Sequence, residues 1–180
     1  MLFARALSFA NSDSTKNFAY VDFEEDYHVP SLEDAAMAFG TKIIRSFHDM
    51  ENPVTDIVKK FNSMRKTGFE IPKIAFMPHS LKDVLAVFKQ AESLKNSQQI
   101  LCAMGPLGLP TRLLSEKLNS FLTYTSPSEL LGNLLEIGHT DPFTLNNVYR
   151  YRKINENTKI FGITGFPLKV TSSPELHNSN

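Results

Sequence analysis

No stretch of this 180-residue chain approaches the roughly 20 consecutive apolar residues that a membrane-spanning helix needs. A surplus of charge is missing too. Nineteen Lys and Arg balance 19 Asp and Glu, and the basic residues are scattered. That balance points to no nucleic-acid or anionic-membrane surface, so neither partner is expected. Cysteine is nearly absent. The one residue, Cys102, lies in an apolar strand-like run, which excludes a disulfide framework and fits a reducing cytoplasm. The start, Met1 to Ala10, carries Arg5 in its middle and no clean apolar core or cleavage site. It reads as a truncated helix rather than a signal peptide.

What is present is a regular beat of strand-like and helix-like segments. Strands are predicted over Phe18–Phe23, Lys42–Phe47, Ile71–Met77, Gln99–Met104 and Phe121–Thr125. Helices are predicted between them. Ser31–Phe39 opens on a capping pattern and stops at Gly40. Pro53–Lys66 carries Val54, Ile57, Val58, Phe61 and Met64 on one face. Ser80–Leu94 opens on Ser80-Leu81-Lys82-Asp83, and Pro110–Leu118 and Thr144–Ile154 follow. The strands are continuously apolar rather than alternating, the mark of parallel strands covered on both faces. The class is therefore α/β, with about five strand–helix units. At roughly 25 to 30 residues per unit they match part of an eightfold (β/α)8 TIM barrel. An open doubly wound sheet fits the same pattern.

After Tyr149 the beat changes. Thr158 to Gly165 reads as a new strand, followed by a polar stretch from Thr171 to Asn180. We therefore expect two parts: residues 1–155 as a barrel portion, and residues 156–180 as the stub of a second α/β domain.

Two residues carry candidate chemistry. Lys73 sits alone in the apolar run Glu70-Ile71-Pro72-Lys73-Ile74-Ala75-Phe76-Met77-Pro78. A lysine there either snorkels to water from a strand end or points its amine into the interior. In the second case burial is expected to lower its pKa and free a neutral amine, the nucleophile for imine formation with a ketone. His48 ends the upstream strand Ile43-Ile44-Arg45-Ser46-Phe47-His48-Asp49. It is either a turn residue or a proton carrier beside such an imine. Together the pair suggests Schiff-base chemistry.

Ser46-Phe47-His48-Asp49, Ile71-Pro72-Lys73-Ile74-Ala75-Phe76-Met77-Pro78, and Ala103-Met104-Gly105-Pro106-Leu107-Gly108 with Thr111-Arg112-Leu113 resemble the type I 3-dehydroquinate dehydratases. The likeness runs in order from about Tyr20 to Tyr149 and covers the second half of that family's barrel, about strands 4–8. It implies a lyase that converts 3-dehydroquinate to 3-dehydroshikimate in the shikimate pathway. Lys73 would be the Schiff-base lysine, His48 the acid–base, Arg112 the holder of the substrate carboxylate, and Met77 and Met104 pocket walls. No metal or cofactor is implied. Where the family has a Ser-Ala-Pro-Gly-Gln-like lid, the chain has Leu135-Glu136-Ile137-Gly138-His139, so His139 stands for the glutamine. The family's earlier strands carry further acidic and basic substrate ligands for which no segment is seen.

The tail, Phe161-Gly162-Ile163-Thr164-Gly165-Phe166-Pro167 with Thr171-Ser172-Ser173-Pro174-Glu175-Leu176-His177-Asn178, resembles the start of shikimate dehydrogenase. Thr171 and Ser173 match its substrate hydroxyls, while Val170 departs from its usual histidine. NADP would be needed only with the rest of that domain. The two likenesses together imply a piece of a fused dehydratase–dehydrogenase. The alternatives are an inactive remnant, or a half-barrel completed as a homodimer or by a separate N-terminal half.

Overall fold

Four apolar segments pair side by side in the order in which they occur. In the computed structural model, which describes residues 17–94, 97–130, 132, 137–163, 165 and 171–179, the strands are β1 (Tyr20–Glu24), β2 (Lys42–Asp49), β3 (Ile71–Phe76) and β4 (Ile100–Ala103). They form one sheet in the order β1-β2-β3-β4, parallel throughout. Parallel neighbours need a crossover, and helices supply it: α1 (Pro30–Ala38), α2 (Ile57–Met64) and α3 (Leu81–Ala91), with α4 (Gly105–Leu113) after β4.

Among the described residues the helices cover one face. Ile74, Phe76, Leu101 and Ala103 point outward from the strands and bury against Ile57, Phe61 and Met64 of α2, Val87 and Ala91 of α3, and Leu118. The spacing of Ile57, Phe61 and Met64 puts all three on one helical face, as the sequence predicts. The opposite face holds Ile44, Ile71 and Ile100 in one layer, and Ala75, Cys102 and Met104 in the next.

Element ends differ from the sequence-based expectation where local chemistry sets them. Ser80 and Asp83 do form the expected capping box on α3. On α1, Pro30 takes the first turn instead of Ser31, because its fixed φ suits that position. Asp56 caps α2 by accepting from the Lys59 N–H at 2.8 Å, so that helix starts four residues later than Pro53 suggests. Helix α4 begins at Gly105 and holds Pro110 inside it. A 3-10 turn, Ser115–Leu118, then continues the segment.

Three predicted elements are corrected. Phe121–Thr125 is not a strand. The residue before it, Ser120, bridges Gln99, and there the ladder ends. The Leu101 N–H, which the next rung would use, donates to the Ser120 hydroxyl at 3.0 Å. The segment still lies along the sheet: Leu122 and Tyr124 pack on Ile44, Ile71 and Ile100. The predicted helix Thr144–Ile154 is a π-turn, Thr144–Val148, and a 3-10 turn, Tyr151–Lys153. Arg150 separates them in the left-handed region at φ 52°. Among the described residues of Thr158–Gly165 no strand forms, and Ile160, Phe161 and Ile163 are exposed.

Candidate active site

The other face of the sheet gathers a cluster of polar side chains. In a strand, residues two apart share a face. Asp22 and Glu24 of β1, Ser46 and His48 of β2, and Lys73 of β3 therefore point the same way as Ile44 and Ile71. The register sets Glu24, Ser46 and Lys73 in one row across the sheet, with His48 and Ala75 in the row above.

Lys73 is buried, at 8% exposure. Its Nζ donates to Asp22 Oδ2 at 2.9 Å and lies 4.8 Å from the centre of the Tyr124 ring. Asp22 also accepts a hydrogen bond from the Ser46 hydroxyl, which fixes the carboxylate between two strands. Of the two placements open to Lys73 the interior one is found, but its electrostatics run opposite to what burial alone gives. Burial acts to lower the lysine's pKa. The hydrogen bond it donates to Asp22, the nearby Tyr124 oxygen and the Asp22 charge outweigh it, and the value lies above the ordinary one. At rest Lys73 is an ammonium, not the free amine that burial alone predicts. Burial likewise raises the phenol of Tyr124 and the thiol of Cys102, so both stay neutral beside it.

His48, one residue from the end of β2, pairs through Nδ1 with Glu24 Oε1 at 2.8 Å. The histidine side chain is 30% exposed, so water and small molecules reach it. Above Lys73, Met77 and Met104 pack with Ala75 and Cys102 into a small apolar wall. The Met104 N–H donates to the Phe76 carbonyl at 2.7 Å, which holds this methionine at the C-terminal end of the sheet.

Arg112, in the last turn of α4, is buried at 3% exposure. Its Nη2 donates to the Ile137 carbonyl at 3.2 Å, while its buried Nε has no partner among the described residues. His139 is half-buried, with Nδ1 bonded to the Ser126 hydroxyl. Burial first, and the Arg112 charge second, press its pKa below the usual histidine value. Gly138 sits between these two at φ +79°, and a Cβ there would lie 2.3 Å from the Gly105 carbonyl oxygen. The segment is thereby pressed onto the start of α4, with Arg112 and His139 side by side. Leu135 and Glu136 of the expected lid lie outside the described residues. Thr171 and Ser173 bond to each other, at 2.9 Å between hydroxyls, at the head of a short helix Ser173–Asn178. Among the described residues no group of three His, Cys, Asp or Glu is placed to hold a metal.

Sequence reasoning missed Asp22, Glu24 and Tyr124. A signal was present for the first two. In Val21-Asp22-Phe23-Glu24 two acids alternate with apolar residues, so both must share one face of the strand. Tyr124 fell in a predicted strand, with nothing in the pattern to set it over a lysine.

A family model described as type I 3-dehydroquinase matches residues 5–156. The bifunctional 3-dehydroquinate dehydratase/shikimate dehydrogenase of Arabidopsis thaliana chloroplasts is 30% identical over 139 residues, 76% of this chain and 23% of that protein. The 3-dehydroquinate dehydratase of Syntrophotalea carbinolica is 34% identical over 113 residues, 59% of this chain and 45% of that protein. The chain thus spans less than half the length of either. Among solved structures, the 3-dehydroquinate dehydratase of Aquifex aeolicus superposes with a TM-score of 0.58 at 26% identity, covering 78% of this chain and 61% of that one. The type I enzyme of Clostridium difficile gives 0.64 at 24% identity, covering 86% and 62%, which is a likeness of fold.

Proposed function

Because this chain belongs to the type I 3-dehydroquinase family, we propose that it carries the Schiff-base centre of a 3-dehydroquinate dehydratase, a lyase of the shikimate pathway. The observation that carries the reading is the pairing of a buried Lys73 with an accessible His48 on adjacent strands of one face. Lys73 attacks the ketone of 3-dehydroquinate and loses water to give an iminium. The iminium withdraws electrons and acidifies the neighbouring C–H. His48, oriented by Glu24, takes that proton and returns one to the departing hydroxyl. Arg112 is the holder of the substrate carboxylate: its planar fork suits two oxygens, and its unpartnered Nε is a buried donor in need of an acceptor. His139 replaces a lid glutamine, and Met77 and Met104 wall the pocket. None of these steps requires a cofactor.

The wider assignments rest on the same family reading. Residues 1–155 form the later strands of a (β/α)8 barrel, and residues 156–180 begin a shikimate dehydrogenase-like domain in which Thr171 and Ser173 meet the substrate. The bifunctional name of the Arabidopsis relative supports such a fusion. NADP enters only with that further domain. We assign the protein to the cytoplasm; among the described residues no helix is long and apolar enough to cross a membrane.

A second reading, a half-barrel that works only with a complementing chain or a second copy, is favoured by one observation. Among the described residues β1 pairs with β2 alone, leaving its other edge open. Incubation with 3-dehydroquinate and borohydride tests the first reading. Peptide mapping is expected to find the reduced adduct on Lys73. A label confined to other lysines in an active preparation overturns it. Restoration of turnover by an added N-terminal half would favour the second reading.

A further inference from the structure

Lys73 has to lose a proton before it can attack, and its surroundings oppose that loss. The group that opposes it is also the one placed to accept the proton. Asp22 Oδ2 lies 2.9 Å from Nζ, and its other oxygen is held by the Ser46 hydroxyl. The Asp22 side chain is 38% exposed, so the carboxylate lies between the buried amine and the open face. Tyr124, the other near oxygen, stays protonated through burial and is no acceptor. His48 is engaged with Glu24 in a separate pair.

We propose that Asp22 is a further catalytic residue, the proton shuttle and counter-ion of the Lys73 imine. This rests on the Schiff-base reading above. When a ketone enters, the ammonium proton passes from Nζ to the Asp22 carboxylate. The freed lone pair forms the C–N bond, and the carbonyl π electrons move to oxygen. The nitrogen of that adduct gives a proton to the new alkoxide, which leaves a neutral carbinolamine. Asp22 then returns its proton to the carbinolamine hydroxyl, the C–O bond breaks, and water leaves as the nitrogen lone pair forms C=N⁺. The sum is Lys–NH₃⁺ plus ketone giving the protonated imine plus water, with Asp22 again a carboxylate. It then faces the iminium N–H from the position it held beside the ammonium. A negative partner there keeps the imine protonated, which is the form that withdraws electrons. Ser46 is the positioning residue for that carboxylate.

Asp22→Asn keeps the shape and removes the charge and the proton-accepting oxygen. Two readouts on the full chain should move in opposite directions. Acetic anhydride at neutral pH acylates only the free amine, so Lys73 labelling, mapped by mass spectrometry, should rise several-fold. Borohydride trapping of an imine should nevertheless slow, by about 10²-fold if Asp22 acts as a general acid–base. A merely structural role would not separate the two. Trapping is run with 3-dehydroquinate and with dihydroxyacetone as a generic ketone. Trapping of dihydroxyacetone alone removes the dehydroquinate reading, while its dependence on Asp22 still decides the shuttle. Unchanged acylation overturns the pairing, and trapping that rises with acylation overturns the shuttle. Failure of the native chain to trap either ketone overturns both readings. Should Asp22→Asn not fold, Ser46→Ala carries the test: it leaves the charge but frees the carboxylate, and trapping as fast as in the native chain overturns the proposal.

Discussion

At the scale of single residues, Lys73 is a cation held in place by an acid rather than a neutral amine released by burial. Its raised pKa gives a sign to the pH dependence. Stability from the charged lysine is fully present below the unfolded lysine value and is lost as pH rises through the higher folded value. Native chain and Lys73→Met should therefore differ in urea midpoint at neutral pH. The gap should narrow only above the ordinary lysine value of 10.5, as followed by denaturation at stepped alkaline pH. A gap that instead widens with alkaline pH would contradict the pairing with Asp22. His48 invites a different measurement. If it moves protons after the imine has formed, His48→Ala should cut dehydratase turnover by about 10²–10⁴-fold while borohydride still labels Lys73. Native-like turnover in that variant would leave the histidine as a plain partner of Glu24.

At the scale of elements, the long apolar runs were legible and the punctuation less so. β3 and β4 read correctly because every residue in them is buried, β2 because its middle, Ile43 to Ser46, is, and Ile57, Phe61 and Met64 of α2 because they repeat at helical spacing. The fifth predicted strand failed for a reason no hydropathy pattern carries: the Ser120 hydroxyl captures the Leu101 N–H. The last helix failed because Arg150 turns left-handed. Lys73 and His48 stood out as polar residues in or at the end of apolar runs. Asp22 did not, because its meaning comes from a lysine 51 residues away that only the sheet register brings near. The segment around Gly138 is open to a direct test. Gly138 has positive φ and no room for a methyl group against Gly105. Gly138→Ala should destabilise the chain by about 1–3 kcal/mol and displace His139 from Arg112, as read from the urea midpoint and the imidazole NMR titration. An unchanged midpoint and an unchanged His139 titration would show that this segment rests elsewhere.

At the scale of the whole molecule, the sheet face that holds Lys73 and His48 is, among the described residues, the face without helices, and the matched part of the chain spans 45% of the Syntrophotalea relative. If only the later half of a barrel encloses the site, as proposed above, water that a closed barrel excludes would reach an iminium on Lys73. Assayed alone, the 180-residue chain should turn over 3-dehydroquinate far more slowly than a full-length type I enzyme, and should not reduce NADP with shikimate. Turnover equal to that of the full-length enzyme, or shikimate-dependent NADP reduction free of contaminants, would refute those two expectations in turn. Both acids, Asp22 beside the lysine and Glu24 beside the histidine, hang from β1, the border strand among the described residues. Border strands detach at lower free energy than interior ones, and their amides exchange with deuterium first. When this one peels away, the amine and the imidazole lose their counter-charges in a single event. A contact that held that border would therefore keep both counter-charges in place without touching Lys73 or His48.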